Sequence, residues 1–234
     1  MVQEIEELRG YVRYDYQLKP NTPNRSQPPG ALWLRRLLGD DFFANVTDVR
    51  LESSQVTDKG LDRLEELTQL NTLMLGTMQV TDKSLEHLKG LTQLQHLWLA
   101  NTQVTDEGLG RLKRLTQLQE LSLDITQVTD NGLRHLEGLT QLQFLSLNNT
   151  QVTDNGLEHL KGLTKLKTLM LDHTHVANKG LEHLDGLTQL LCLSLRNTQV
   201  TNEGIKKLQR ALPKCHISVT RVSFAPPCST SPRR

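Results

Sequence analysis

From Phe43 to Arg210 the sequence is a single 24-residue unit written seven times, with blocks beginning at Phe43, Leu67, Leu91, Leu115, Leu139, Leu163 and Leu187. The consensus is L-T-Q-L-Q-x-L-x-L-x-x-T-Q-V-T-D-x-G-L-x-x-L-x-G, and no residue is inserted or lost between blocks. A strict period of this length is the signature of a repeat array, in which one small supersecondary unit stacks on copies of itself. A partial eighth block follows, with Ile217-Ser218-Val219 at the position of the first apolar alternation.

Each block carries two periodicities. Leu97-Trp98-Leu99, Leu121-Ser122-Leu123 and Leu145-Ser146-Leu147 alternate apolar and variable residues, which predicts a short strand with one face buried. About half a block later the spacing changes to three, as in Leu133 and Leu136, and this predicts a short helix with one apolar face. Between the two lies Val128-Thr129-Asp130-Asn131-Gly132 and its copies. Thr or Asp accepts hydrogen bonds from free N–H groups at a helix start, and acidic residues there suit the helix dipole. Capping is therefore the expected role of Asp58, Asp82, Asp106, Asp130 and Asp154, replaced by Asn178 and Asn202 in the last two blocks.

One such block cannot bury the apolar face of its own strand or helix; a stack of them buries both against one continuous leucine core. Strands stack at about 4.8 Å and helices at about 8–10 Å, so the stack must curve with its strands on the inside. The expected fold class is α/β, a solenoid with parallel strands on the concave face and short helices on the convex face. The L-x-x-L-x-L-x-x-T-x-V pattern resembles leucine-rich repeats. Its V-T-D-x-G-L continuation is similar to the subtype of many bacterial leucine-rich-repeat proteins and of F-box-type receptors. The resemblance covers residues 43 to about 220 and implies a right-handed horseshoe. One departure is Thr where the family usually has Asn or Cys at the loop position: Thr102, Thr126, Thr150, Thr174 and Thr198, with Ser54 and Met78 in the first two blocks. A Thr ladder there still offers hydroxyls to the loop backbone, whereas Met78 does not, so the second block is expected to be irregular.

Residues 1–42 divide into a leader, a linker and a capping helix. Val2–Leu8 is expected to be helical, Tyr11–Tyr16 to be a strand added at the sheet edge, and residues 19–30, rich in Pro and Asn, to be a linker. Trp33, Leu37, Leu38, Phe42 and Phe43 are expected to cover the exposed core of the first repeat. Residues 211–224 are the partial repeat and C-terminal cap, and the polar 225–234 tail is expected to be disordered. No run of eighteen apolar residues and no signal-peptide pattern occurs, which leads to the expectation of a cytoplasmic protein without a membrane segment.

Within this one chain, core positions barely vary, while the outward strand positions are where the blocks differ most. The sixth position runs Asp48, Thr72, His96, Glu120, Phe144, Thr168, Cys192; the eighth Arg50, Met74, Trp98, Ser122, Ser146, Met170, Ser194; the tenth Glu52, Gly76, Ala100, Asp124, Asn148, Asp172, Arg196. With aromatics at only 4% of the composition, Trp98 and Phe144 on this face next to Met74 form a candidate hot spot ringed by His96 and Glu120. The candidate partner-binding set is Met74, His96, Trp98, Glu120, Asp124, Phe144, Met170, Asp172 and Arg196. On the helical side His87, His135, His159 and His183 share a column with Arg63, Arg111 and Lys207, which is expected to be a solvated surface.

Catalytic chemistry is not visible. Asp172-His173-Thr174-His175 is the densest group of metal-ligand types, but it lacks the four tightly spaced ligands of a structural zinc site. Three cysteines make no disulfide framework, and nothing beside Cys192 or Cys215 activates a thiolate. No phosphate loop, nucleophile elbow or H-E-x-x-H occurs, so no metal, cofactor or catalytic residue is assigned. The net charge of +1 argues against nucleic acid as a partner. The expected function is a non-enzymatic scaffold, a monomer recognising a protein partner through its concave face. The alternative implied by the resemblance is the substrate-recognition subunit of an F-box-type ubiquitin ligase, although residues 1–42 are short and polar for the adaptor-binding motif that role requires.

Overall fold

The computed structural model describes residues 11–14, 46–51, 58–76 and 79–219. The expected cap at Trp33–Phe43, the linker at 19–30, the tail at 225–234 and loop positions Ser54 and Met78 lie outside the described residues.

Among the described residues nine strands form one sheet in sequence order: β1 (Tyr11–Tyr14), β2 (Val46–Arg50), β3 (Thr72–Met74), β4 (His96–Trp98), β5 (Glu120–Ser122), β6 (Phe144–Ser146), β7 (Thr168–Met170), β8 (Cys192–Ser194) and β9 (His216–Ser218). β1 pairs antiparallel with β2, with a register shift between Arg13 and Tyr14. Every later pairing is parallel, and each residue faces its equivalent one block on, as in Leu97 to Leu121 to Leu145. Between β2 and β9 the chain returns from one strand to the next through a short helical segment. In the middle blocks this is a four-residue α-helix continuing as a 3-10 turn, such as Asp130–Leu133 followed by Arg134–Leu136; at the end it is the longer helix Asn202–Ala211. Parallel strands with helical crossovers and a leucine-dominated interior make this an α/β leucine-rich-repeat solenoid. Among the described residues no helix is long and apolar enough to cross a membrane.

The core is as repetitive as the sequence. In the block starting at Leu115, residues Leu115, Leu118, Leu121, Leu123, Val128, Leu133 and Leu136 are all fully buried, and their equivalents in the neighbouring blocks are too. Each buried leucine contributes about 1.5–3 kcal/mol of transfer free energy before ordering is subtracted.

Two polar ladders hold the turns on either side of the sheet. After β4 to β8 the chain passes through a left-handed residue, at Asn101, Ile125, Asn149, His173 and Asn197 respectively. The Thr that follows closes the turn by donating its hydroxyl to the leucine carbonyl three residues back, for instance Thr126 Oγ1 to Leu123 O at 2.6 Å and Thr174 Oγ1 to Leu171 O at 2.6 Å. The buried loop position therefore needs a short hydroxyl donor, and Thr supplies it.

The second ladder corrects the expectation for the aspartates. In the helices that begin at Asp106, Asp130 and Asp154 the capping residue is the Thr before the Asp: Thr105, Thr129 and Thr153 accept from the N–H two residues on. The Asp occupies the first helical position and reaches into the next block. Asp106 accepts from Thr129 N at 2.8 Å and from Thr129 Oγ1 at 2.6 Å, and Asp130 does the same with Thr153 at 2.7 and 2.6 Å. The Thr hydroxyl proton goes to the carboxylate, which leaves an oxygen lone pair for the helix N–H. The recurring Gly serves the same seam, because a Cβ at Gly132 or Gly156 would overlap the carboxylate of Asp106 or Asp130. In the second block Ser84 replaces the Gly and donates its hydroxyl to Asp58. Burial works to raise the Asp58 carboxyl, but hydrogen bonds from Ser84 and Thr81 outweigh it and hold the group below its ordinary value.

Candidate interaction surface

The strand register sets the outward side chains in rows. Across the sixth position Thr72, His96, Glu120, Phe144 and Thr168 lie side by side, and across the eighth Met74, Trp98, Ser122, Ser146 and Met170. The parallel stack thus makes neighbours of residues 24 apart in sequence. Met74 flanks Trp98 directly, and His96 Nδ1 lies 3.1 Å from Glu120 Oε2.

Trp98 and Phe144 belong to strands separated by β5, yet their rings lie nearly parallel, with centroids 6.0 Å apart and planes 16° from each other. The pair spans the small Ser122, which is only 3% exposed. Such an offset aromatic arrangement contributes about 0.5–1.5 kcal/mol beyond area burial. All nine candidate residues (Met74, His96, Trp98, Glu120, Asp124, Phe144, Met170, Asp172 and Arg196) are partly exposed rather than buried or fully solvated.

Two of the nine are engaged with the scaffold. Asp124 accepts from Ser146 Oγ at 2.5 Å and from Asn148 N at 2.8 Å; Asn148 Oδ1 accepts from Asp172 N at 2.7 Å; and Asp172 accepts from Ser194 Oγ at 2.6 Å and Arg196 N at 2.8 Å. The tenth column is therefore a third ladder, with carboxylates clamped to backbone N–H groups. Arg50 and Arg196 stand towards the two ends of the sheet, and the Nε of each is buried without an acceptor.

Ile125 belongs to this rim and is not signalled by apolar periodicity. It is 54% exposed and holds a φ of 55°, in the column where the third block and the fifth to seventh carry Asn or His. Asn tolerates the left-handed region because its short polar side chain bonds locally, whereas a β-branched side chain there is strained. The clue in the sequence is the single apolar residue in a column of Asn101, Asn149, His173 and Asn197.

On the helical side, residues of the histidine column and its cationic members meet acids of the preceding block. Arg111 pairs with Glu86, His159 Nδ1 lies 2.6 Å from Glu137 Oε1, and Lys207 Nζ lies 2.6 Å from Glu182 Oε1. Burial, with Lys113 and Arg134 nearby, pushes the His135 imidazole down. His173 Nε2 is 3.0 Å from Asn197 Nδ2, while the Asp172 carboxylate turns to Ser194 and Arg196, so these two ligand types do not converge. Among the described residues no group of three or more His, Cys, Asp or Glu is placed to hold a metal ion. Burial drives the Cys215 thiol up to about 11.

The register, the leucine interior and the Thr-closed turns together define a leucine-rich-repeat protein. No protein-family model and no curated protein sequence matches the chain; solved structures of this class do. The chain is similar to internalin C2 from Listeria monocytogenes, with 26% identity and a TM-score of 0.58 over 77% of this chain and 84% of that one. It is also similar in fold to internalin F from the same organism, with 24% identity and a TM-score of 0.58 over 74% of this chain, spanning about half (53%) of that one.

Proposed function

We propose that the protein is a non-enzymatic recognition scaffold that binds a protein partner on the concave face of its strand sheet. The observation that carries this reading is the Trp98–Phe144 pair, set next to Met74 and the His96–Glu120 contact on a face whose side chains differ from block to block. Large rigid aromatics that remain half-exposed are the groups that dominate binding energy at protein interfaces. The leucine core and the Thr and Asp ladders occupy positions that are nearly invariant between blocks, so cohesion is supplied elsewhere and the outward rows are free to be individual. The extent of the sheet supports a footprint running from Met74 to Met170, with Arg196 at its far edge.

The test is affinity capture with wild-type protein beside Trp98→Ala, followed by titration with the purified partner. Trp98→Ala lowers stability by no more than about 2 kcal/mol, the ring contact and partial burial it gives up, and weakens the partner by about 2 kcal/mol or more, the range of an interface hot spot. A partner whose affinity is the same for both proteins places the binding surface elsewhere.

A further inference from the structure

The charge on the sheet face is not evenly spread. In the outward columns of β3 to β7, extended to the tenth position, the ionised groups are Glu120, Asp124 and Asp172, and no Lys or Arg occurs. The flanking cations stand outside this zone: Arg50 on β2 and Arg196 after β8. Lys167, at the entrance to β7, directs its ammonium to Gln143 Oε1 at 2.9 Å. The centre of the face therefore combines a two-ring aromatic platform with a local excess of carboxylate, in a chain whose net charge is +1.

The geometry places these two features together. Glu120 sits on β5, between the strands that carry Trp98 and Phe144, and is the direct register neighbour of Phe144. Its other register neighbour is His96, whose Nδ1 lies 3.1 Å from Glu120 Oε2. An aromatic face attracts a cation through the ring quadrupole, and an adjacent carboxylate adds Coulomb attraction from the same side. Like charges on a partner would be repelled by all three acids.

We propose that the segment recognised by this face is cationic: a basic stretch of a partner protein that lays an Arg or Lys side chain over the Trp98–Phe144 platform with its charged head at Glu120. This rests on the scaffold reading above and specifies the chemistry of the partner. The clamped carboxylates Asp124 and Asp172 supply the longer-range field that draws a basic segment along the sheet, and Arg50 and Arg196 bound it at either end.

The experiment uses the full chain with Trp33→Phe, which leaves Trp98 as the one indole of the two. Acetylated tetra-arginine amide is titrated at low salt and followed by Trp98 emission, with tetra-glutamate as the opposite-charge probe. The expected result is a saturable change with tetra-arginine below about 10 mM, none with tetra-glutamate, and loss of the response as added salt screens the charges. Glu120→Gln and Phe144→Leu each weaken tetra-arginine by about threefold or more, the effect of one exposed cation–aromatic contact, while circular dichroism and the urea midpoint show that both variants remain folded. No saturable response to tetra-arginine, an equal response to tetra-glutamate, or an unchanged affinity in Glu120→Gln overturns the proposal. If a captured partner depends on Trp98 but not on Glu120 or on salt, the scaffold reading stands and the cationic segment falls. If capture is indifferent to Trp98, the scaffold reading itself falls, whatever tetra-arginine does.

Discussion

The sixth full block contains its own control for the seam between repeats. Where the neighbouring blocks have Thr before the helix, this one has Ala177, and the helix Asn178–Leu181 has no side-chain cap. Asp154 then receives one bond from the next block, Ala177 N to Oδ1 at 2.6 Å, where Asp130 receives two from Thr153. The backbone at Ala177 (φ −125°, ψ −167°) nearly coincides with that at Thr153 (φ −122°, ψ −172°), so Ala177→Thr requires no rearrangement. The new hydroxyl would donate to Asp154 Oδ2 and accept from Lys179 N. A cap contributes about 1 kcal/mol, but the equivalent Thr153 to Asn155 N distance is a long 3.3 Å, so about 0.5 kcal/mol is the fair share. The bond to a charged but half-exposed carboxylate adds about 1 kcal/mol, below the range for buried charged acceptors. The expected gain is about 1.5 kcal/mol, which a urea slope of about 2–3 kcal/mol/M converts to a midpoint raised by about 0.5 M. In an Asp154→Ala background the gain falls to the cap alone, about 0.5 kcal/mol. No gain in the wild-type background, or the same gain in both, refutes the assignment of the aspartates as clamps between blocks.

Two further outcomes follow from the same structure. Ile125→Asn relieves a β-branched residue of a left-handed backbone and gives up little burial, since Ile125 is 54% exposed; thermal and urea unfolding should show a gain of about 1 kcal/mol, and a loss would mean the isoleucine packs better than its exposure indicates. Asp58 has a carboxyl held below its ordinary value of 3.8, so its contribution is fully present above that value and is lost as pH falls through the lower folded value. Urea unfolding of Asp58→Asn across pH should therefore show a deficit at neutral pH that closes under acid; a deficit constant across that range would refute a role for the ionised form.

The division of labour between positions explains how such a chain could bind. Backbone pairing, leucine burial and the ladders at the turns all use residues that are nearly the same in every block, so each seam is held by the same few contacts. Stability in this architecture is a sum of nearest-neighbour terms. The outward strand positions enter that sum weakly, which is why Thr72, His96, Glu120, Phe144 and Thr168 can occupy one row of one sheet.

Periodicity alone determined the architecture: a fixed interval of 24 residues aligns leucine with leucine, and that dictates the in-register parallel sheet, the identity of the core and the membership of each outward row. It did so because stacking identical units leaves only one register in which every apolar side chain is covered. What spacing could not reveal were contacts that skip a strand or cross a seam. Trp98 meets Phe144 across the intervening strand β5, the aspartates leave their own helices to serve the following block, and Ile125 holds a left-handed backbone in the turn that the Thr126 hydroxyl closes. Each depends on side-chain reach and local backbone direction across neighbouring blocks, which only the folded stack brings into being.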